Sequence, residues 1–426
     1  MRRRRPGQLL GSADLTSVLQ SAHVAARSRL TVYPRTVAGV EGAEFSTVVQ
    51  SDEPLVVDRT MSWDGAAAYG AHAETALHSA STTWYLAEGA THSGFDLFYL
   101  LQNPASTPAT VRVRYLRPSG EPLEKTYTLA ANSRTNIWVD TEELPGLGTA
   151  LANTDVSAVI ESTDGVPIIV ERAMYLSNQG RLFNAGHESA GITSPATRWF
   201  LAEGATGDYF DMFILFANPN NADAEAKVTY LLPDGTTYVR TLVVPGNTRQ
   251  NIWVDYDVPD GTTGFPLLDT AVSTTIEVTN GVPIIVERAM WWPGTAATWH
   301  ETHNSVGATT AGTMWALAEG EVDASRNLET YILVANTSTT PADVRVTLLF
   351  EDGTSAEQTY PGILPNSRFN VPVGSSFPQA AGKRFGVIVE SLGTSPAQIV
   401  VERAMYWDAL GQWWAAGTNA LATMVK

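Results

Sequence analysis

The sequence of 426 residues contains no cysteine and only four lysines among its 27 basic residues. Without cysteine the chain can form neither disulfide bonds nor thiolate metal sites. It carries 44 acidic residues and a formal net charge of −17, and an acidic surface repels the phosphate backbone of nucleic acids. The composition therefore excludes a disulfide-stapled module, and we expect no nucleic-acid partner.

Long apolar runs are also missing. No stretch reaches the roughly 18 apolar residues that a transmembrane helix requires, so we expect no membrane span. The arginine-rich start at 1–6 resembles the charged end of a signal peptide, but residues 7–27 are mixed and polar where an apolar segment should follow. We therefore expect 1–27 to be a flexible N-terminal segment, and no signal peptide is visible.

Signatures of catalysis and of metal binding are absent from the sequence as well. The chain has no glycine-rich phosphate loop and no serine in a Gly-x-Ser-x-Gly context. The segment 300–303 reads His-Glu-Thr-His, which has one residue too few between its histidines for a helical zinc site. Acidic clusters at 140–143 and 255–260 lack the spacing of a calcium loop, which favours solvated loops but leaves calcium binding open. We expect no cofactor and no enzymatic activity.

What the chain does have is a repeat of fixed period. The element Trp-x-x-Ala-Glu-Gly begins at Trp84, Trp199 and Trp315, which are 115 and 116 residues apart. A period of this size indicates tandem domains, each large enough to form its own core. We therefore divide the chain into a first, a second and a third repeat, at 81–195, 196–311 and 312–426.

Each repeat shows the pattern of short strands. Segments such as 110–115 alternate apolar and polar residues, which is typical of half-buried strands. Turns are expected at Gly120, Gly235 and Gly353, because glycine tolerates a positive φ. About seven strands and no convincing helix per repeat predict an all-β fold of tandem immunoglobulin-like antiparallel β-sandwiches. We expect a string of beads, with connectors near 176–197 and 292–313.

The segment 28–80 matches only the second half of a repeat. Residues 28–33 match the strand that begins with Ser-Arg in the middle of each repeat, and residues 46–63 match the last two strands. Half a sandwich would expose unpaired strand edges. We therefore expect that the chain is the C-terminal part of a longer repeat protein or that its start codon is misassigned. The alternative is that residues 28–80 borrow strands from another protein.

Charged pairs recur inside an apolar strand of every repeat, within the motif Glu-Arg-Ala-Met. Adjacent strand residues point to opposite faces, so one charge must face the core or a domain junction. We expect each arginine to meet the glutamate of Trp-x-x-Ala-Glu-Gly in a buried structural ion pair. These pairs are Glu88 with Arg172, Glu203 with Arg288, and Glu319 with Arg403. A catalytic carboxylate is the alternative, but an enzyme needs one site and these residues recur in every repeat.

Two further sets of residues are of interest. His72, His187 and His303 each precede a repeat tryptophan by twelve residues, and we expect them to form hydrogen bonds within the connectors. Ten of the twelve tryptophans occupy repeat-equivalent positions, which favours core and junction packing. The other two, Trp291 and Trp413, are the candidates for an exposed aromatic binding surface.

The Trp-x-x-Ala-Glu-Gly element, followed in phase by Asn-Pro, Ser-Arg and Glu-Arg-Ala-Met-Tyr-Trp, resembles a repeat domain family of unknown function in secreted and cell-surface bacterial proteins. The resemblance covers 28–426 and implies an extracellular β-rich module. We therefore expect a non-enzymatic structural or adhesive repeat protein, secreted or at the cell surface, with a protein or glycan as its partner. The alternative is an array of carbohydrate-binding modules for cell-wall glycan.

Overall fold

The computed structural model describes residues 18–64, 69–178, 180–294 and 298–426. Antiparallel strands dominate these residues, which confirms the predicted all-β, sandwich-type fold. Helical structure in this part of the chain is confined to single turns at Pro34–Thr36, Val139–Thr141, Val254–Tyr256, Ala324–Arg326, Val373–Ser376 and Pro378–Ala380. Residues 1–17 of the predicted flexible segment 1–27 lie outside the described residues.

No helix among the described residues is long and apolar enough to cross a membrane.

The half-repeat contributes one hairpin. It consists of β1 (Asp58–Asp64) and β2 (Tyr69–Thr75), which pair in antiparallel register with Asp58 opposite Thr75. Residues 28–57 lead into this hairpin without forming a strand.

The first repeat contains two four-stranded sheets. Its strands are β3 (Thr83–Leu86), β4 (Phe95–Asn103), β5 (Ala109–Leu116), β6 (Leu123–Leu129), β7 (Ser133–Trp138), β8 (Ser157–Ser162), β9 (Ile169–Asn178) and β10 (Arg181–Ala190). The outer sheet has the order β3-β8-β5-β6, and the inner sheet has the order β10-β9-β4-β7.

The second repeat has the same arrangement. Its strands are β11 (Arg198–Leu201), β12 (Asp211–Asn218), β13 (Ala224–Leu231), β14 (Thr237–Val244), β15 (Thr248–Trp253), β16 (Ser273–Val278), β17 (Ile285–Trp292) and β18 (Glu301–Val306). The outer sheet is β11-β16-β13-β14 and the inner sheet is β15-β12-β17-β18.

The third repeat adds two short strands to this plan. Its strands are β19 (Met314–Leu317), β20 (Glu321–Val322), β21 (Glu329–Asn336), β22 (Ala342–Phe350), β23 (Ser355–Ile363), β24 (Ser367–Pro372), β25 (Lys383–Ser391), β26 (Ile399–Ala409), β27 (Gln412–Leu421) and β28 (Thr423–Met424). The outer sheet is β23-β22-β25-β19-β28, with β20 paired to β25, and the inner sheet is β24-β21-β26-β27.

The sequence signals for turns and core are explained by local geometry. The predicted turn glycines Gly120, Gly235 and Gly353 adopt φ values of 86°, 82° and 79° between the two strands of a hairpin, which confirms these turns. The repeat tryptophans are buried and bind the two sheets together. Their indole N–H groups donate to backbone carbonyls, from Trp84 to Ile168 (2.9 Å), from Trp199 to Ile284 (3.1 Å) and from Trp315 to Ile399 (2.9 Å).

The expected string of beads is wrong. The supposed connectors contain β10 and β18, and these strands pack against β2 and β27 around one centre, in which β2 and β18 each contact both β10 and β27. The physical reason lies in the inner sheets, whose central strands are buried on both faces; every residue of β17, for example, is buried. One face packs on the outer sheet of the same repeat, so the other must be covered by neighbouring repeats.

Candidate functional site

Four strands, β2, β10, β18 and β27, converge on a single carboxyl group at the centre of the molecule. Glu301 at the start of β18 is fully buried. Its side-chain oxygens accept hydrogen bonds from the N–H groups of Ala71 (3.1 Å) and Thr302 (3.0 Å). Hydrogen bonds from the backbone N–H groups of Gly186 and Gly417 also favour the ionised form of this carboxyl group. These four donors occupy equivalent positions, one on each hairpin strand, so the centre is a ring of four backbone donors around one acceptor.

Burial controls the ionisation of Glu301. Removal from water raises the pKa of its carboxyl group well above the ordinary value, against the opposing effect of the four N–H groups. At Gly186 and Gly417 a neighbouring aromatic ring leaves no room for a side chain. A side chain at Gly417, for example, would place its Cβ 2.8 Å from the ring of Trp292. The centre is therefore packed as a structural core around a polar acceptor.

The glutamate and arginine side chains singled out in the sequence meet around this centre. The shortest carboxylate–guanidinium distance is 3.3 Å for Glu88 and Arg172, and 2.8 Å for Glu203 and Arg288. For Glu319 and Arg403 it is 3.2 Å. All three arginines are fully buried.

In the first and second repeats, a second carboxylate completes the ion pair, and it comes from the next repeat. Glu287 of the second repeat lies 2.6 Å from Arg172 of the first and accepts a hydrogen bond from the N–H of Ala87 (2.8 Å). Glu402 of the third repeat lies 3.1 Å from Arg288 of the second and accepts from Ala202 (2.7 Å). The glutamate of Glu-Arg-Ala-Met is thus the residue that joins one repeat to its neighbour.

The same contact closes the cluster between the third repeat and the half-repeat. Asp58, which stands where the other copies have glutamate, accepts a hydrogen bond from the N–H of Ala318 (2.8 Å). The hydroxyl groups of Thr75 and Tyr69 add hydrogen bonds to Leu421 (3.0 Å) and Gln412 (2.8 Å). The first and last parts of the chain are therefore directly joined.

Two of the buried carboxylates, Glu88 and Glu203, are kept ionised by their partners. Burial opposes ionisation of Glu88, but His187 and Arg172 hold its pKa below the ordinary value. Burial likewise opposes ionisation of Glu203, but His303 and Arg288 lower its pKa to about 2. A buried ion pair of this kind contributes little over an apolar core but is costly to break, because a single unpaired charge then remains inside.

Each of the three histidines contacts a carboxylate, and for His187 and His303 that carboxylate lies outside the predicted connectors. His187 lies 3.1 Å from Glu88, and His303 lies 3.5 Å from Glu203. His72 lies 3.4 Å from Glu188, a residue of the first repeat. These contacts place each histidine ring against a buried carboxylate. In the described part of the chain, no group of three or more histidine, aspartate or glutamate residues could hold a metal ion.

Arginines of the middle strand reinforce the contacts between repeats. Arg249 at the start of β15 is buried and lies 3.0 Å from Asp155 of the first repeat. The equivalent Arg368 of the third repeat donates to the backbone carbonyls of Gly204 and Val272 (3.0 Å) in the second. The corresponding residue of the half-repeat, Arg29, donates to the carbonyl of Ala318 (2.9 Å).

The two candidates for an exposed aromatic surface differ in their surroundings. The prediction for Trp291 is wrong, because this side chain is only 3% exposed and stacks on Trp299 at the edge of the inner sheet. Trp413 is 54% exposed. Its ring stacks on Trp414 with a centroid distance of 4.3 Å and lies 4.9 Å from Tyr209. It therefore forms the outer face of an aromatic stack.

Comparison with known proteins adds little to this description. No family model matches the chain, and no curated protein matches it. Among solved structures, the crystal structure of Thermotoga maritima 1070 aligns at 13% identity and a TM-score of 0.24, over 27% of this chain and 97% of that chain. The Anabaena sensory rhodopsin transducer aligns at 24% identity and a TM-score of 0.20, over 23% of this chain and 90% of that chain. Neither likeness supports a conclusion about fold or function.

Several residues of this centre were missed in the sequence. The sequence places Glu301 only in a segment that resembles a zinc site, and it assigns no partner to Glu287 or Glu402. One signal was available for Glu301, because the equivalent residues in the other copies are Gly70, Ala185 and Ala416. A single glutamate among small residues in a repeated position indicates a unique role at a shared axis.

Proposed function

We propose that this protein is a non-enzymatic structural repeat protein, secreted or held at a bacterial cell surface, that presents binding surfaces on a rigid cluster of β-sandwiches. The observation that supports this most is the use made of the recurrent charged residues. Arg172 and Arg288 are fully buried and each is bound by a carboxylate from the next repeat. These charged residues are enclosed between neighbouring repeats and fix the repeats to each other, which is a structural role.

The extracellular location rests on the resemblance to surface repeat proteins and on the composition. A rigid cluster without cysteine does not depend on the redox state of its compartment. The many cross-repeat contacts also suit a protein that must resist proteolysis, because a closed cluster offers few locally unfolded segments for cleavage.

The location can be tested in the organism that makes the protein. Intact cells are treated with a non-permeant biotin reagent or an external protease, and the protein is then followed with an antibody. We expect labelling or release of this protein while a cytoplasmic marker stays untouched. Labelling only after lysis would contradict an extracellular role.

Glycan binding is a second candidate function, supported by the exposed stack at Trp413. Flat aromatic faces of this kind bind the apolar faces of sugar rings. Among the three full repeats the site occurs once, because the positions equivalent to Trp413 are occupied by Leu182 in the first repeat and Thr298 in the second. A single platform favours one weak site over the array of carbohydrate-binding modules expected as the alternative.

A screen of the purified chain against glycans and peptidoglycan fragments tests this second function. Saturable binding should be lost in Trp413→Ala and kept in Leu182→Ala, which removes an exposed side chain at the equivalent position. Binding that survives Trp413→Ala would exclude this surface as the glycan site. Equal loss in both variants would also contradict it.

A further inference from the structure

The half-repeat has a vacant position between two of its segments. In the three full repeats, the inner sheet places β4, β12 and β21 between the Ser-Arg strand and the Glu-Arg-Ala-Met strand. In the half-repeat the Ser-Arg segment at 28–33 is held against the third repeat by Arg29, and the Glu-Arg-Ala-Met strand is β1. Among the described residues, no strand lies between them, so β1 has β2 as its only strand partner.

Apolar side chains around this vacancy are exposed where their equivalents are buried. Val32, Val49 and Met61 are 47%, 54% and 45% exposed. Their equivalents in the first repeat are Ile137, Ile160 and Met174, which are 2%, 0% and 2% exposed. The three positions belong to three different strands of a complete sandwich. Among the described residues, the half-repeat therefore lacks the strands that correspond to β3 to β6 in the first repeat.

The charged residues beside the vacancy indicate whether the occupant carries a glutamate at the position of Glu88. In the first repeat, Arg172 and His187 share Glu88, which comes from the first half of that repeat. In the half-repeat, Arg59 and His72 instead share Glu188, which is supplied by the first repeat.

The second and third repeats carry asparagine where Glu188 stands, and both asparagines donate to the glutamate of the preceding repeat. These bonds are Asn304 to Glu88 (2.7 Å) and Asn419 to Glu203. Glu188 thus takes the place of the missing glutamate, and a second glutamate entering here would meet a like charge in a buried site.

We propose that this face binds the first half of a repeat carried by another polypeptide. The occupant supplies four strands and a Trp-x-x-Ala-x-Gly loop, with an uncharged residue where Glu88 stands in the first repeat. One of its strands adds to the free edge of β1 by backbone hydrogen bonding, and its apolar residues cover Val32, Val49 and Met61. Glu171 then receives the N–H groups of the loop, as Glu287 receives those of Ala87 and Glu88.

A second copy of this chain fits the face less well. The first halves of its three full repeats are already paired within their own sheets. Pairing of β1 with β1 of another copy would cover the strand edge but would leave Val49 exposed, because this residue belongs to the outer sheet of a complete repeat.

The probe for this proposal is a recombinant fragment of the chain itself, residues 81–130, prepared with Glu88→Gln. It is titrated into the full-length protein by calorimetry and sedimentation velocity. We expect saturable binding with one fragment per chain, and slowed hydrogen exchange in β1 and 28–33 of the full-length protein. Met61→Asp in the full-length protein should weaken binding by about tenfold or more, because it buries a charge at the new interface. Leu182→Asp, at an exposed apolar residue elsewhere, should bind as the wild type does.

The role of Glu188 gives the sharpest discrimination. The unmodified fragment, which keeps Glu88, should bind about tenfold more weakly than the Glu88→Gln fragment. In a Glu188→Asn full-length protein this preference should reverse. The absence of saturable binding by both fragments at about 100 µM would overturn the proposal. So would equal loss in Met61→Asp and Leu182→Asp. Self-association of the full-length protein that Met61→Asp abolishes would assign the face to a second copy instead.

Discussion

The substitution Arg172→Ala tests whether the cross-repeat ion pairs hold the molecule together. The guanidinium of Arg172 is fully buried, lies 2.6 Å from Glu287 and 3.3 Å from Glu88, and also donates to the backbone carbonyl of Glu88 (3.1 Å). Its removal leaves two carboxylates inside the protein with no cation between them. Loss of one partner of a buried pair costs about 3–5 kcal/mol, and we expect the free energy of unfolding to fall by that amount.

Urea denaturation provides the assay, with the change read from the midpoint at constant slope. Arg112→Ala is the matched control, because Arg112 forms its ion pair with Glu161 at the surface, where both side chains are about two-fifths exposed. That variant should lose no more than about 1 kcal/mol.

A double-mutant cycle then shows whether the effect crosses the repeat boundary. Arg172 belongs to the first repeat and Glu287 to the second, so the combined variant Arg172→Ala/Glu287→Ala should be less destabilised than the sum of the single variants. We expect a coupling free energy of at least about 1 kcal/mol. An Arg172→Ala protein within about 0.5 kcal/mol of the wild type, or strict additivity in the cycle, would refute this reasoning.

Three further predictions concern single side chains. Glu301→Ala leaves the ring of N–H groups without an acceptor and should lower the free energy of unfolding by about 1–3 kcal/mol or more. Glu301→Gln keeps an acceptor oxygen and should lower the free energy of unfolding less. Equal effects of the two variants in chemical denaturation would contradict the role of Glu301 as the central acceptor. Burial, together with the nearby charge of Glu188, raises the pKa of Glu74 to about 8 from 4.5. The folded state therefore retains a proton that the unfolded state releases, so the free energy of unfolding should decline between pH 4.5 and about 8. The variant Glu74→Gln should make this decline shallower, and a pH profile identical to that of the wild type would contradict the role of Glu74. Trp84→Phe removes the hydrogen bond to Ile168 and should cost about 1–3 kcal/mol, while Trp413→Phe at the exposed stack should leave the melting temperature unchanged.

Much of the local structure could be predicted from the sequence because it depends on neighbouring residues. The alternation in 110–115 marks a strand with one buried face, and the structure shows buried and partly exposed residues alternating along β5. Gly120 marks a turn because its positive φ is costly for other residues. The recurrence of Trp84 at a fixed period indicated core packing, since repeated sandwiches bury equivalent side chains.

The relation between the repeats could not be predicted in this way. The partners of Glu287 and Glu402 are backbone N–H groups about two hundred residues earlier in the chain, and no local pattern encodes such a distance. A fixed period is equally compatible with a linear string and with a closed cluster, because both repeat the same local structure. The pattern of Glu-Arg-Ala-Met predicted that one of the two charges is buried, whereas both Glu287 and Arg288 are buried.

Trp291 illustrates the same limit. Its position outside the repeat pattern suggested an exposed ring, but neighbouring β-strands and Trp299 cover it. Trp413 is exposed because it lies at the end of the β26–β27 hairpin, where its ring stacks outward on Trp414. The exposure of a side chain depends on which surfaces the neighbouring repeats cover, and only the tertiary structure shows which surfaces these are.

Small-angle X-ray scattering of the full-length protein distinguishes a closed arrangement of the four hairpins from a linear string of sandwiches. A compact body of 426 residues should have a radius of gyration of about 22 Å and a single maximum in its distance distribution. Three separate sandwiches in a linear string, at about 40 Å spacing, would give roughly 35 Å and a long tail at large distances. A value near 22 Å supports contact between the half-repeat and the third repeat. A value above about 30 Å would contradict the shared centre around Glu301.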